Sequence, residues 1–223
     1  MDTAKHILGT FDEALRKLRR DLLKMVGLTE RSLHRAIKGL LERDDSLCTK
    51  TIADDEEVDQ LEKQIDKTGV EILLRFQPVA SDLRQVISAM KLSPNIERVA
   101  DEATNIAESA RKLNGHPALA EVKLIVPIHE HAMLMFKDSI HAFVREDVEL
   151  AQSVVSRDKQ LDNMNRSASA QLTDRMSQER DQLRGYLNLI LISRCLERVG
   201  DHAQNIAEDA VYAAAAEDIR HQK

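Results

Sequence analysis

Glu97-Arg98-Val99-Ala100-Asp101, leading into Asn105-Ile106-Ala107-Glu108, recurs as Glu197-Arg198-Val199-Gly200-Asp201, leading into Asn205-Ile206-Ala207-Glu208. The offset is 197 − 97 = 100 residues with no gap inside the string. A repeat of this kind says that the chain holds two copies of one unit. Within each copy Ile96, Val99, Ala103, Ile106 and Ala110 (Leu196, Val199, Ala203, Ile206 and Ala210 in the second) follow helical spacing. At about 100° per residue these fall within about an 80° arc and form a core stripe. Glu97, Asp101, Asn105 and Glu108, with Glu197, Asp201, Asn205 and Glu208, cluster roughly 180° from it.

The repeat extends outward from this string. Leu83-Arg84 matches Leu183-Arg184 and Ser93 matches Ser193 at the same offset. Upstream, Arg43-Asp44-Asp45 matches Arg145-Glu146-Asp147, and Asp55-x-x-Val58-Asp59 matches Asp158-x-x-Leu161-Asp162 one residue further out of register. Each half thus carries one acidic i, i+4 pair on its second helix and one on its third. Helical periodicity covers almost the whole chain: about Thr10 to Arg43, Ser46 to Phe76, a break at Pro78 with Ser81 as the next N-cap, and on to Leu113. After Asn114-Gly115-His116-Pro117, the strongest turn signal, helices run from about Ala118 to Arg145, Val148 to Arg180 and Gln182 to Ala214. The expected fold is all-α, with six long helices in two tandem, pseudo-symmetric three-helix bundles: residues 1–114, a linker at 115–117, and residues 118–223. Pro94, in mid-helix, removes a hydrogen bond to the Met90 carbonyl. It either kinks a continuous helix, the reading favoured here, or sits at N1 of a new helix capped by Ser93.

Composition narrows the class. Gly 7, Pro 4, 3% aromatic residues and no Trp describe a helix-forming mixture, and 43% hydrophobic residues suffice for a core. A net charge of −6 with interspersed signs argues against nucleic acid as a partner. Cys48 and Cys195 form no Cys-x-x-Cys motif, which fits a reducing cytosol. The segment from Met1 to His6 opens into an amphipathic pattern without an apolar signal core. The apolar run from Tyr186 to Ile192 is too short for a bilayer. A cytoplasmic location is expected, with membrane contact only through partners.

Acids four apart repel by a few tenths of a kcal/mol on a helix. Stacking such pairs on adjacent helices calls for an offset: arginines, salt, or a cation. Clustered carboxylate oxygens suit hard cations, and iron and manganese also accept such sites. The alternative is an ordinary solvated face paired with Arg84, Arg98, Arg184 and Arg198. His202, next to Asp201, is a possible further ligand, whereas His129, His131 and His141 read as packing or surface residues. Glu-x-x-His motifs are missing and the acids point away from the core, which argues against a ferritin-like metal-storage or metalloenzyme bundle. No phosphate loop or catalytic constellation is present, so no enzyme is expected.

Ala80-Ser81-Asp82-Leu83-Arg84 with the first string, and Tyr186-Leu187 with Leu196 to Ala203 and the second string, resemble the two repeats of the PhoU family. Phe11, Leu15, Leu18 and Met25 fit as well. The resemblance spans nearly the whole chain. It implies a cytoplasmic, non-enzymatic negative regulator of phosphate uptake and of the phosphate-starvation response, forming a homodimer. It implies partners in the ATPase and membrane subunits of the phosphate-specific ABC transporter and in a phosphate-sensing histidine kinase. It also implies surface metal sites at Asp55 and Asp59 with Glu97 and Asp101, and at Asp158 and Asp162 with Glu197 and Asp201. The cofactors would be divalent or trivalent ions such as iron, manganese, zinc, magnesium or calcium. A helical adaptor acting without metal is the alternative. Pro94 departs from the family pattern beside the first site.

Overall fold

The computed structural model describes the backbone of residues 2–220 and the side chains of residues 9–220. Met1 and the side chains through Leu8, on which the reading of the N-terminus rests, lie outside the described residues. So do the last three residues of the second expected unit. The elements are α1 (Asp2–Leu41), α2 (Asp45–Ala53), α3 (Asp55–Phe76), α4 (Ala80–Asn114), α5 (Ile125–Arg145), α6 (Val148–Gln178) and α7 (Leu183–Ala215). Short 3₁₀ turns, Ala120–Leu124 and Arg180–Gln182, precede α5 and α7, and no strand occurs among the described residues.

Several boundaries differ from the sequence reading for local reasons. The expected helix from Ser46 to Phe76 breaks at Asp54, whose N–H bonds the Lys50 carbonyl and whose carboxylate takes Arg35 from α1. The next helix begins at Ala80 after Val79, so Ser81 lies in its first turn and does not cap it. The fourth helix begins only at Ile125, because residues 120–124 tighten into the 3₁₀ turn. The repeat register upstream is also corrected. Arg43 (φ 55°) and Glu146 (φ 56°) hold the same left-handed turn position. Asp44 and Asp147 both act as N-caps, Asp44 accepting the Ser46 and Leu47 N–H groups and Asp147 that of Leu150. The upstream offset is therefore 147 − 44 = 103, already the register of the acidic pairs.

Helix α4 is continuous through Pro94. Proline cannot donate to the Met90 carbonyl, and the Ser93 hydroxyl does so instead at 3.3 Å. The neighbouring side chain thus satisfies the acceptor that the ring leaves open.

Helices α1, α3 and α4 pack together, as do α5, α6 and α7, and the two sets join through α4 against α7. The central pair is antiparallel: Arg84 bonds the Ala213 carbonyl, Lys91 pairs with Asp209, and Glu102 pairs with Arg198. Each central helix is covered on three sides, so its buried arc is wide and rich in small residues, Ala and Ser on α4 and Ala and Gly on α7. Leu22, Met25, Ile65, Ile96, Phe136, Leu161 and Tyr186 are fully buried, each such side chain contributing about 1.5–3 kcal/mol.

Candidate metal-binding seams

The eight acids singled out from the sequence gather in two seams, one between α3 and α4 and one between α6 and α7. In the first, burial and then repulsion from Asp101 push Glu97 up to about 7, with Glu62 and Asp59 adding to the effect and Arg98 opposing it. Asp55 accepts the Thr104 hydroxyl and is also raised, mainly by burial and then by Asp101 and Asp59. Arg98 lies 3.5 Å from Glu97 and 3.3 Å from Asp101. In the second seam burial, then Asp162, Asp201 and Glu208, push Asp158 up to about 6. Glu197 and Asp201 are both raised, first by burial and then by Asp162 and Glu197 respectively.

Seven of the eight acids are half-buried, and Asp201 is exposed. The Glu97 side chain is 19% exposed and Asp101 34%, because α3 folds over that flank of α4. Three neighbours of the sites escaped the sequence reading, and a fourth, Glu208, was legible on the acidic face of α7. Glu62 and Asn165 occupy equivalent positions (165 − 62 = 103), one helical face along from the Asp pairs. Thr104 reaches Asp55, and Glu208 reaches Asp158. The 103-residue register would have exposed the first two. His202 turns instead toward α4, where Nδ1 meets Asn95 Oδ1 at 3.2 Å.

The donor set is carboxylate oxygen, the chemistry of hard cations. Asp158 Oδ1 is buried without a hydrogen-bond partner. A carboxylate oxygen in that state is costly and accepts a cation readily. Among the described residues, no three His, Cys, Asp or Glu side chains converge closely enough to hold an ion as they stand. Ligation would need the carboxylates to turn about their side-chain torsions. Arg98 in the first seam already supplies positive charge.

A polar contact on the α4–α7 seam lies beside these sites. Glu102, 8% exposed, holds Arg198 at 2.6 Å. The Arg198 guanidinium also donates to the Cys195 sulfur at 3.3 Å. Burial and Glu102 push the Cys195 thiol up to about 12, which leaves it unreactive. Cys48 and Cys195 are both free and buried. Among the described residues no helix is long and apolar enough to cross a membrane.

Comparison with known proteins places this arrangement. The PhoU domain matches residues 22–110 and 125–210, one match per copy. A phosphate-specific transport system accessory protein PhoU homolog from Pseudomonas putida is 38% identical over 218 residues, 97% of this chain and 85% of that protein. The phosphate-specific transport system accessory protein PhoU of Escherichia coli is 30% identical over 97% of this chain and 90% of that protein. The crystal structure of PhoU from Pseudomonas aeruginosa superposes with a TM-score of 0.89 at 35% identity, covering 93% of this chain and all of that one (100%). That of the phosphate transport system regulatory protein PhoU from Streptococcus pneumoniae gives 0.84 at 26% identity, covering 94% and 99%. With two domain matches on two carboxylate-lined copies, the chain belongs to the PhoU family of regulatory accessory proteins, which are not enzymes.

Proposed function

We propose that this protein is a negative regulator of phosphate uptake that works on the cytoplasmic side of the membrane. It docks on the phosphate-specific transporter, and on the sensor kinase that reads phosphate starvation, and biases both toward the phosphate-replete state. Its surface carboxylates bind metal, and it acts as a homodimer. The names and coverage of its relatives support the transport role. For metal, one observation carries the reading: acids that repel one another are gathered in both copies, and Asp158 Oδ1 lies buried without a partner. In the first seam Asp55, Asp59, Glu97 and Asp101 would hold the ion, and in the second Asp158, Asp162, Glu197 and Asp201. A bound cation supplies positive charge that offsets this repulsion. Thr104 and Asn165, by donating to Asp55 and Glu197, orient carboxylates at either seam.

Arg98 beside Glu97 and Asp101 favours the second reading, an adaptor that needs no metal. Elemental analysis of the protein and of the Asp101→Ala/Asp201→Ala double variant separates the two. Under the metal reading the double variant loses bound metal and derepresses a phosphate-starvation reporter. Derepression with no metal in either protein leaves the adaptor standing. An unchanged reporter sinks the regulatory role of these seams.

A further inference from the structure

Helix α7 leaves three large apolar side chains open to solvent at i, i+4 and i+8: Leu183 at 40%, Leu187 at 42% and Leu191 at 52% exposure. At about 100° per residue, Leu183, Arg194, Leu187, Arg198, Leu191 and Arg184 share one arc of about 100°. The side chains of Arg184 and Arg194 form no ion pair or hydrogen bond among the described residues, although Arg194 lies near enough to Glu197 to oppose the rise in its pKa.

The first copy is an internal control. At the same positions, offset by 100, stand Leu83 and Ile87, both half-buried, and Lys91, paired with Asp209 at 3.5 Å and 5.0 Å above the Tyr212 ring. Arg84, the counterpart of Arg184, is spent on the Ala213 carbonyl, and Pro94 stands where Arg194 would be. The fold therefore does not require an open apolar, cationic face here. The second copy carries one, and contiguous patches of this kind mark interaction surfaces.

Resting on the transport role proposed above, we infer that this face of α7 docks a protein component of the phosphate-specific transport system. Its contact segment would be an amphipathic helix with an apolar stripe flanked by carboxylates. The leucines fill the role of the apolar core of a helix-in-groove contact, and the open guanidinium groups select acidic flanks. A second copy meeting the face about a twofold centred between Leu187 and Leu191 would set Arg184 against Arg194, like against like. An anionic lipid surface would meet the carboxylates of Glu197 and Asp201 further along the same helix.

The test measures binding of the purified chain to its own organism's assembled transporter, permease and ATPase subunits together, in detergent. Leu187→Asp/Leu191→Asp should weaken binding at least about tenfold, the scale of losing a central apolar contact. Arg184→Glu/Arg194→Glu should weaken it less and flatten its salt dependence. Helix content and Tm check folding, and Leu187→Gln/Leu191→Gln serves if the aspartates disrupt it. Wild-type binding with folded leucine variants that bind equally well overturns this inference and leaves the transport role intact. No binding by the wild type overturns both. Leucine variants that lose self-association in sedimentation but keep transporter affinity assign the face to a second copy and also overturn it.

Discussion

The two carboxylate seams descend from one unit but balance their charge differently. The α3–α4 seam keeps Glu62 beside the four acids, and Glu97 is pushed to about 7. At the equivalent position the α6–α7 seam has Asn165, whose amide donates to Glu197 and whose oxygen accepts the Ser193 hydroxyl. Both seams push one carboxylate toward neutrality, Glu97 to about 7 and Asp158 to about 6, but only the second adds an amide bridge. A buried partnerless oxygen remains only at Asp158 of the two sets, about two turns along α6 from the bridging Asn165. The same backbone thus offers two sites that differ in their neighbours, a fifth carboxylate at Glu62 in one and an amide at Asn165 in the other.

The copies also compensate in packing, and this gives the largest expected effect. A Cβ on Gly200 would meet Leu161 Cδ2 at 2.1 Å. In the first copy the corresponding pair is Ala100 and Val58. Gly200→Ala should therefore cost up to about 2 kcal/mol, overpacking of about 1–3 kcal/mol less the roughly 1 kcal/mol that Ala gains over Gly in a helix, and Leu161→Val should restore most of it. Thermal melts of the single and double variants check this. A Gly200→Ala protein as stable as the parent breaks the idea that the copies trade volume across α6–α7 and α3–α4.

Arg198 and Arg98 are the next contrast. Arg198→Ala strands the buried carboxylate of Glu102 and should cost about 1–2 kcal/mol, moderated by the half-exposed guanidinium. Arg98→Ala removes only contacts from a side chain 63% exposed and should change stability by less than about 0.5 kcal/mol. Equal losses in urea titrations would contradict the idea that only Arg198, and not Arg98, holds a buried carboxylate. A smaller effect belongs to Glu62→Asn, which imports the second copy's residue. It should stabilise the metal-free protein by about 0.5 kcal/mol at neutral pH through relief of like-charge repulsion.

The pH dependence sharpens the same comparison. With chelator present, Glu97 binds its proton more tightly folded than unfolded, since about 7 exceeds its ordinary value of 4.5. Its contribution is fully present below about 4.5 and is lost as pH rises through about 7. Glu97→Gln should flatten that fall in Tm between roughly pH 5 and 8, the linkage window. Glu197→Gln should change the profile less. A profile identical to the parent for Glu97→Gln would remove the protonated state from the first seam.

Much of this was legible without the structure. The 100-residue repeat, the six-helix plan and the identity of the eight acids that line the seams follow from periodicity and self-similarity. The break at Asp54 was not legible, because it depends on Arg35 of another helix. Nor was the acids' position in half-covered seams: a helical wheel knows the core side of a helix but not how many neighbours cover its flanks. His202 looked like a ligand by adjacency to Asp201, yet it lies about 100° further round the helix and faces α4.

The sequence by itself determined the duplication, the helices and which carboxylates share a helical face, since these rest on local spacing along one chain. Tertiary structure alone decided which side chains meet across helices: Glu62 against Glu97, Asn165 against Glu197, Glu102 against Arg198. It also decided that Leu183 and Leu187 of α7 stay open while Leu83 and Ile87, their counterparts on α4, are half-buried. Burial and electrostatic coupling depend on distances between residues far apart in the chain, and these are set only when the helices pack.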